Sequence, residues 1–172
     1  MIRLARNTAP SARFRHGSLL DAAPPRCAAV TALGEGLSYC FDSPNTASRR
    51  KRLFRRLRRA LAPGGIFAFD VTTIGMLSVV GQPRYFAAGD DWAVLVQRTA
   101  NARKRLLTRE ITSFVSNGRC WRRTDERHRL HLFDARELCA ELEACGFDAR
   151  IGRAYGRYEI NPGRVAVIAT AT

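Results

Sequence analysis

The stretch between residues 46 and 71 constrains the fold more than any other part of the sequence. Apolar side chains recur there at helical spacing, at Leu53, Phe54, Leu57 and Leu61. Thr46 or Asn45 can cap the start of this helix, and a Pro-Gly-Gly turn ends it before an apolar strand over residues 66–71. A helix joined to a strand by so short a turn is half of a βαβ unit, so the sequence predicts an α/β fold.

A second apolar strand is predicted upstream of this helix. Residues 27–33 are a run of small and apolar side chains, which is typical of a strand covered on both faces in a parallel sheet. We therefore place this strand at the centre of the sheet, parallel to residues 66–71. Residues 12–17 alternate between apolar and polar side chains and predict an edge strand, and residues 2–10 resemble the last turns of a helix. We expect the chain to begin inside an element.

The character of the sequence changes after this unit. Residues 92–131 contain three strand-like runs separated by turn-prone segments, which predicts an antiparallel meander inserted into the α/β frame. We divide the expected single domain into a cofactor-side α/β portion over residues 1–79, an antiparallel insert over residues 80–131 and a closing part over residues 132–172.

A helix and a hairpin are predicted in the closing part. Asp134 as N-cap, with Glu137 three residues later, forms the pattern of a capping box and predicts a helix over residues 134–145. Two strands, over residues 148–155 and 164–170, then close the chain around a Pro-Gly turn.

Composition limits the partners and the compartment. The chain of 172 residues has 29 Lys and Arg against 15 Asp and Glu, a net charge of +14, which attracts nucleic acid, anionic lipid or acidic substrates unless it is only a solvated surface. Five widely spaced cysteines without a C-x-x-C pair predict neither a zinc site nor a disulfide framework, so we expect no metal and a cytoplasmic protein. The sequence has no run of about 18 apolar residues, so it predicts no membrane span.

Five segments in succession resemble class I S-adenosylmethionine-dependent methyltransferases of the small-molecule type, from their third strand onward. These segments are GSLLD, CAAVTALGEGLSYCFD, RRLRRALAPGGIFAFDV, ELCAELEACGFDARI and RVAVIAT. The most recognisable part is L-x-P-G-G before an apolar strand that ends in Asp, here Leu61 to Asp70, together with the later Gly146 and Phe147. The resemblance implies a partial Rossmann-like sheet with an antiparallel β insert between the fifth and sixth family strands.

The resemblance also implies a cofactor site, with departures from the family pattern. The family places a glycine-rich loop after its first strand, where a Cβ would collide with the cofactor, and this sequence has no G-x-G-x-x-G run, so we expect an N-terminally truncated chain. Ser18 stands where relatives often carry the Asp that holds adenine, which leaves Ser18, the Leu19 amide or Asp21 for that role. Leu33 and Gly34 would face the sulfur of S-adenosylmethionine.

Candidates for the reaction follow from the same resemblance. Methyl transfer is an in-line displacement that needs alignment and sometimes a base. Glu35 could orient an amine or accept its proton, or could be only an acid at a helix N-terminus. Tyr39 and Tyr155 would contact the substrate, although packing is an alternative for aromatic side chains. Possible bases elsewhere are His16, His128 and His131.

Three functions therefore remain open. The first is S-adenosylmethionine-dependent methyl transfer to a small-molecule acceptor. The second is an inactive methyltransferase-like remnant or interaction module, because a missing first strand would leave an apolar edge on residues 27–33 that favours self-association. The third is binding of nucleic acid or an anionic surface through the arginine-rich helix over residues 49–59, whose apolar stripe is nevertheless typical of a helix packed on a sheet.

Overall fold

The computed structural model describes residues 2–41, 45–79 and 84–172. Its helices are α1 (Ile2–Thr8), α2 (Ala47–Ala60), α3 (Met76–Val79) and α4 (Ala135–Glu143), with a short 3-10 helix at Leu19–Asp21. Its strands are β1 (Cys27–Ala32), β2 (Leu61–Thr72), β3 (Arg84–Ala88), β4 (Trp92–Asn101), β5 (Leu106–Ser116), β6 (Trp121–His131), β7 (Phe147–Gly152), β8 (Ala154–Tyr155), β9 (Tyr158–Glu159) and β10 (Arg164–Ala171). No helix in the described part of the chain is long and apolar enough to cross a membrane.

Two four-stranded sheets make up the architecture. The first, called the α/β sheet here, has the order β1-β2-β10-β7, with β1 and β2 parallel and β10 antiparallel to both of its neighbours. The second, called the insert sheet, is an antiparallel meander of β3, β4, β5 and β6. The predicted α/β class with an antiparallel insert after the fifth family strand is confirmed.

Helix α2 covers one face of the α/β sheet, as its apolar stripe predicts. Leu53, Phe54 and Leu57 are fully buried against Phe67 and Phe69 of β2 in the main core. The Thr46 hydroxyl accepts a hydrogen bond from the Arg49 N–H at 3.3 Å, which confirms the predicted N-cap.

The turn from α2 into β2 needs glycine for a reason of space. A Cβ at Gly65 would lie 2.8 Å from the Ala62 carbonyl oxygen and 2.9 Å from that of Ala28 in β1. The Pro-Gly-Gly turn therefore lets two backbones approach closely, and β2 begins at Leu61, opposite Cys27, rather than at residue 66.

Two predicted strand positions are wrong. β1 lies at the edge of the α/β sheet, not at its centre, because it pairs with β2 alone and no described residue pairs with its outer edge. Its side chains are accordingly half-buried or exposed rather than covered on both faces. The predicted edge strand over residues 12–17 has no strand conformation, since no neighbouring strand among the described residues offers hydrogen bonds to it.

The closing part follows the prediction with small differences. The Asp134 side chain caps α4 by accepting from the Arg136 and Glu137 N–H groups, but Glu137 binds Arg105 of the insert instead of completing the capping box. The last two strands of the α/β sheet are β7 and β10, and the small β8–β9 hairpin lies between them.

Candidate functional site

The candidate site lies where the two parallel strands of the α/β sheet end. The carboxyl ends of β1 and β2 meet at one edge of the sheet, which is where ligands bind in open α/β folds. The chain turns sharply after β1, with positive φ at Gly34 (81°) and Glu35 (63°). Nothing lies within 4 Å of the place where a Cβ of Gly34 would be, so this turn is open to a neighbouring molecule. Leu33, just before it, is 58% exposed.

A carboxylate from β2 holds this turn in place. Asp70 is buried, and its two oxygens accept the backbone N–H groups of Gly34 at 2.7 Å and Glu35 at 2.9 Å. Two hydrogen bonds to one carboxylate offset the cost of a non-glycine residue with positive φ, so the turn is fixed relative to the sheet.

Glu35 lies at the centre of a buried ion cluster. Its carboxylate, on a residue only 2% exposed, accepts two hydrogen bonds from Arg109 of β5 at 2.8 and 2.9 Å and one from the Thr72 hydroxyl of β2. The Nε of Arg164, the first residue of β10, lies 2.8 Å from Glu35 Oε1. One side chain therefore connects the α/β sheet to the insert sheet.

The electrostatics of this cluster argue against Glu35 as the predicted base. Burial alone raises the pKa of Glu35, but the hydrogen bonds from Arg109 and Thr72 and the charges of Arg109 and Arg164 outweigh it and hold the pKa below its ordinary value. Arg109 behaves reciprocally, since its pKa is raised by Glu35 in spite of burial, which alone would lower it. A carboxylate this stabilised is a weak proton acceptor, and its geometry suits a structural role.

A cavity of about 440 Å³ opens beside the turn. Its wall combines apolar, aromatic and charged groups, namely Leu33, Gly34, Asp70, Tyr155, Tyr158, Ile160, Asn161 and Arg164. The Tyr155 hydroxyl is buried and has no hydrogen-bond partner among the described residues. Burial, with the nearby negative charge of Asp70, raises the pKa of Tyr155 to about 12, so this hydroxyl stays neutral at physiological pH.

A smaller cavity of about 180 Å³ lies on the other side of the same turn. It contains three of the predicted site residues, and its lining is Ser18, Leu19, Leu20, Gly36, Leu37, Tyr39, Phe41 and Asn45. The Ser18 hydroxyl accepts the Leu20 N–H at 3.2 Å and so caps the 3-10 helix.

The structure thus distributes the predicted site residues over two cavities, the buried ion cluster of Glu35 and the ion pair of Asp21. Leu33, Gly34 and Tyr155 line the larger cavity, while Ser18, Leu19 and Tyr39 line the smaller one. Asp21 lines neither of these two cavities, because its carboxylate binds Arg49 of α2 at 3.0 and 3.1 Å. The roles of these residues in binding stay predictions.

An aromatic cluster joins the smaller cavity to the insert sheet. Tyr39 stacks on Phe41 with ring centroids 4.8 Å apart, and His128 of β6 meets both rings edge-on. His128 Nε2 lies 2.8 Å from a carboxylate oxygen of Glu126. The predicted possible base is therefore packed between aromatic rings and an acid of its own strand.

Sequence reasoning missed three residues of this site. Asp70 was noticed only as the end of a strand signature, and Arg109 and Arg164 were not singled out at all. An acid that ends a buried parallel strand, opposite a glycine turn at the end of the neighbouring strand, is the signal that could have identified Asp70. The two arginines carry no local signal, since Arg109 and Glu35 are 74 positions apart.

The arginine-rich helix uses much of its charge within the chain. Arg50 of α2 binds Glu141 of α4 at 2.9 Å, and Arg49 binds Asp21. Arg56 and Arg58 donate to backbone carbonyls, among them those of Ala22 and Gly146 at 3.0 Å each. Ion pairs and hydrogen bonds within the chain thus account for four of the arginines that we considered for phosphate binding.

Comparisons with known proteins found similarity to methyltransferases. No protein-family model matches the chain. Over 117 residues, or 66% of its length, the chain is 30% identical to a Bacillus subtilis (strain 168) protein named "Putative methyltransferase YqeM". The chain spans about half, 47%, of the length of that curated relative.

Solved structures match nearly the whole chain. A S-adenosylmethionine-dependent methyltransferase from Clostridium acetobutylicum ATCC 824 covers 99% of this chain and is itself covered to 70%, with a TM-score of 0.82 and 18% identity. CalS10, an amino pentose methyltransferase from Micromonospora echinaspora solved with S-adenosylmethionine, matches 99% of this chain over 70% of its own length, with a TM-score of 0.71 and 19% identity. The sugar N-methyltransferase KedS8 from Streptoalloteichus sp ATCC 53650 matches 98% of this chain over 66% of its own length, with a TM-score of 0.72 and 17% identity. The chain has the fold of the class I methyltransferases.

Proposed function

We propose that this chain is a S-adenosylmethionine-dependent methyltransferase that acts on a small molecule. The observation that carries the proposal is the strand order β1-β2-β10-β7 with β10 reversed, which superposes on a S-adenosylmethionine-dependent methyltransferase over 99% of the chain. The site at the carboxyl edge of β1 and β2 supports the same conclusion, because two cavities flank the turn that follows β1.

The residues present fit part of the cofactor. In this proposal Leu33 and the open turn at Gly34 lie against its sulfur end, and Ser18 and Leu19 in the smaller cavity hold the adenine. No acid among the described residues of the smaller cavity is available for ribose hydroxyls, and the Asp70 oxygens already accept two N–H groups. When bound, S-adenosylmethionine supplies an electrophilic methyl group on a sulfonium.

The chain's contribution in this proposal is alignment. Displacement at a methyl group needs the nucleophile and the leaving sulfur in line, and a misplacement of about 1 Å can cost about a hundredfold in rate. Asp70 fixes the turn after β1, and Glu35 fixes the insert sheet relative to that turn. These two carboxylates act as positioning residues, and neither takes a proton from the acceptor.

Calorimetric titration with S-adenosylmethionine tests the proposal. We expect binding tighter than about 100 μM, or roughly −5.5 kcal/mol. If the genomic reading frame extends upstream of the first codon, its longer product is titrated as well. Failure of both to bind, or failure of both to transfer a labelled methyl group to any of a panel of small amines and hydroxyl compounds, contradicts the proposal.

A pair of glycine variants locates the binding. Gly34→Ala places a Cβ in the open turn at a backbone angle that costs about 1 kcal/mol to adopt, and should weaken binding. Gly118→Ala is the matched control, because Gly118 in the β5–β6 turn also has positive φ and open space around it. Equal binding by the two variants would place the cofactor elsewhere.

One observation favours a second candidate, an interaction module without activity. The outer edge of β1 has no partner among the described residues, so its backbone groups are available to a strand of another chain. Sedimentation of the chain across a concentration series distinguishes the two functions: self-association without binding of S-adenosylmethionine supports the interaction module.

A further inference from the structure

Arg164 lines the larger cavity and has hydrogen-bonding capacity that no described residue uses. A guanidinium carries five N–H donors, and the Nε of Arg164 lies 2.8 Å from Glu35 Oε1 as an ion pair. The structure records no hydrogen bond from the two terminal nitrogens to any described residue. The side chain is 26% exposed and lines the cavity, so its terminal nitrogens are available to a ligand.

Tyr155 contributes its aromatic ring to the same wall. Its hydroxyl is buried without a hydrogen-bond partner among the described residues, so the ring and not the hydroxyl is the part that a ligand can contact. The Asn161 side chain adds an amide to the same wall, and the remaining surface is apolar or aromatic, from Leu33, Tyr158 and Ile160.

Among the described residues that line the cavity, Arg164 is the one cationic group. Glu35 is shared by two arginines, so it balances only one of their two positive charges. Asp70 carries a second negative charge, which makes the four groups neutral together, but its two oxygens accept backbone N–H groups of the turn and no hydrogen bond joins them to Arg164. The net charge of +14 attracts anions at longer range.

We propose that the larger cavity binds a small molecule with a carboxylate, which pairs with the terminal nitrogens of Arg164, and an apolar or aromatic body, which packs against Tyr155 and Tyr158. Guanidinium and carboxylate match in a two-bond geometry, and the volume of about 440 Å³ is in the range of small-molecule sites. That this molecule is the methyl acceptor rests on the proposed function; the binding itself does not.

The test compares benzoate with benzamide, which has the same size without the charge. Both are titrated into the chain without S-adenosylmethionine and followed by NMR. We expect benzoate to bind about ten- to a hundredfold more tightly than benzamide, and Arg164→Gln to abolish the difference. Arg150→Gln is the matched control, because Arg150 of β7 is 81% exposed, pairs with Asp148 and lies outside the lining of this cavity.

A second variant keeps the test decisive if Arg164→Gln does not fold. Arg164→Lys keeps a positive charge beside Glu35, so the fold should tolerate it, while loss of the paired N–H donors should weaken benzoate binding several-fold. Equal affinity of the wild-type chain for the two probes, an equal loss in Arg150→Gln, or unchanged benzoate binding in Arg164→Lys overturns the proposal. Because no cofactor is present, these results are independent of whether the chain transfers methyl groups.

Discussion

The two sheets of this molecule are stabilised in different ways. The α/β sheet packs one face on α2 and α4, and the main core there includes Phe54, Phe67 and Phe69. Three strands of the insert sheet have 10 or 11 residues, yet the described residues of β3 to β6 bury only Val96, Leu107 and Leu130. The first sheet therefore depends on a large apolar core, and the second depends on backbone ladders, on a small apolar cluster with Met76 and Leu132, and on its ionic connection to the first.

Removing a core ring should show the largest difference between the sheets. Phe67 of β2 is fully buried, with its ring centroid 4.5 Å from that of Phe69. We expect Phe67→Ala to lower the free energy of unfolding by about 4 kcal/mol, from lost burial and the cavity left behind. Phe86→Ala in β3, where the ring is 77% exposed, should change it by less than about 0.5 kcal/mol. Urea unfolding measures both, and equal losses would contradict the comparison.

The ionic connection between the sheets should have the next largest effect. Glu35→Gln leaves Arg109 and Arg164 without their shared carboxylate, which we expect to cost about 3 kcal/mol because buried charges lose their partner.

The matched control is Glu110→Gln, which removes the partner of Arg127 from an exposed pair on the insert sheet. Exposed pairs contribute about 0.5 kcal/mol or less. A similar change in the two variants, measured by urea unfolding, would mean that burial does not strengthen the connection between the sheets.

Acid should weaken the same connection. The pKa of Glu35 lies below its ordinary value of 4.5 in the folded chain, so its contribution to stability is complete above that value and is lost as the pH falls through the folded-state pKa. The difference in unfolding free energy between wild type and Glu35→Gln should therefore be constant above about pH 5.5 and should shrink below pH 4.5. A difference that grows in acid would reverse the sign of this assignment.

The smallest expected effect concerns the tip of the insert sheet. The Asn117 side chain accepts the N–H groups of Arg119 and Cys120 at 3.1 and 2.9 Å and shapes the β5–β6 turn. Asn117→Ala should cost about 1 kcal/mol. Because the insert sheet has few core contacts, amide exchange should rise in β5 and β6 and stay unchanged in β2. An equal rise in β2 would show that the two sheets open as one unit.

Local patterns predicted the helices and strands of the α/β sheet better than they predicted which strands pair with one another. The α2 stripe and the Thr46 cap depend on residues close in sequence, and both are confirmed, whereas the Pro-Gly-Gly segment predicted as a turn lies within β2. The central place that composition predicted for β1 is wrong, because small apolar side chains suit a central strand and an unpaired edge strand equally well, whereas the uncovered edge expected without the first family strand agrees with the described strand order. The short β3 was missed within the insert, since a five-residue strand of exposed side chains has no distinct burial pattern.

The candidate site was predictable only in part. The turn at Gly34 and Glu35 was identified from the resemblance, and its backbone geometry is unusual as expected of a functional turn. The partners of that turn come from β2, β5 and β10, 35 to 129 positions away, so no spacing rule could connect them. The sequence left Glu35 open between orienting an amine, accepting its proton and a structural role at a helix N-terminus, and its contacts favour a positioning role.

The pair of Glu35 and Arg109 has a consequence for how fast the chain folds and unfolds. A contact between residues 74 positions apart closes a large loop, so its entropy cost favours late formation, after β1 and β2 have paired. An interaction absent from the transition state stabilises the native chain mainly by slowing its unfolding. Glu35→Gln should then raise the unfolding rate in stopped-flow experiments and leave the refolding rate nearly unchanged. The shared carboxylate would thus slow the separation of the two sheets.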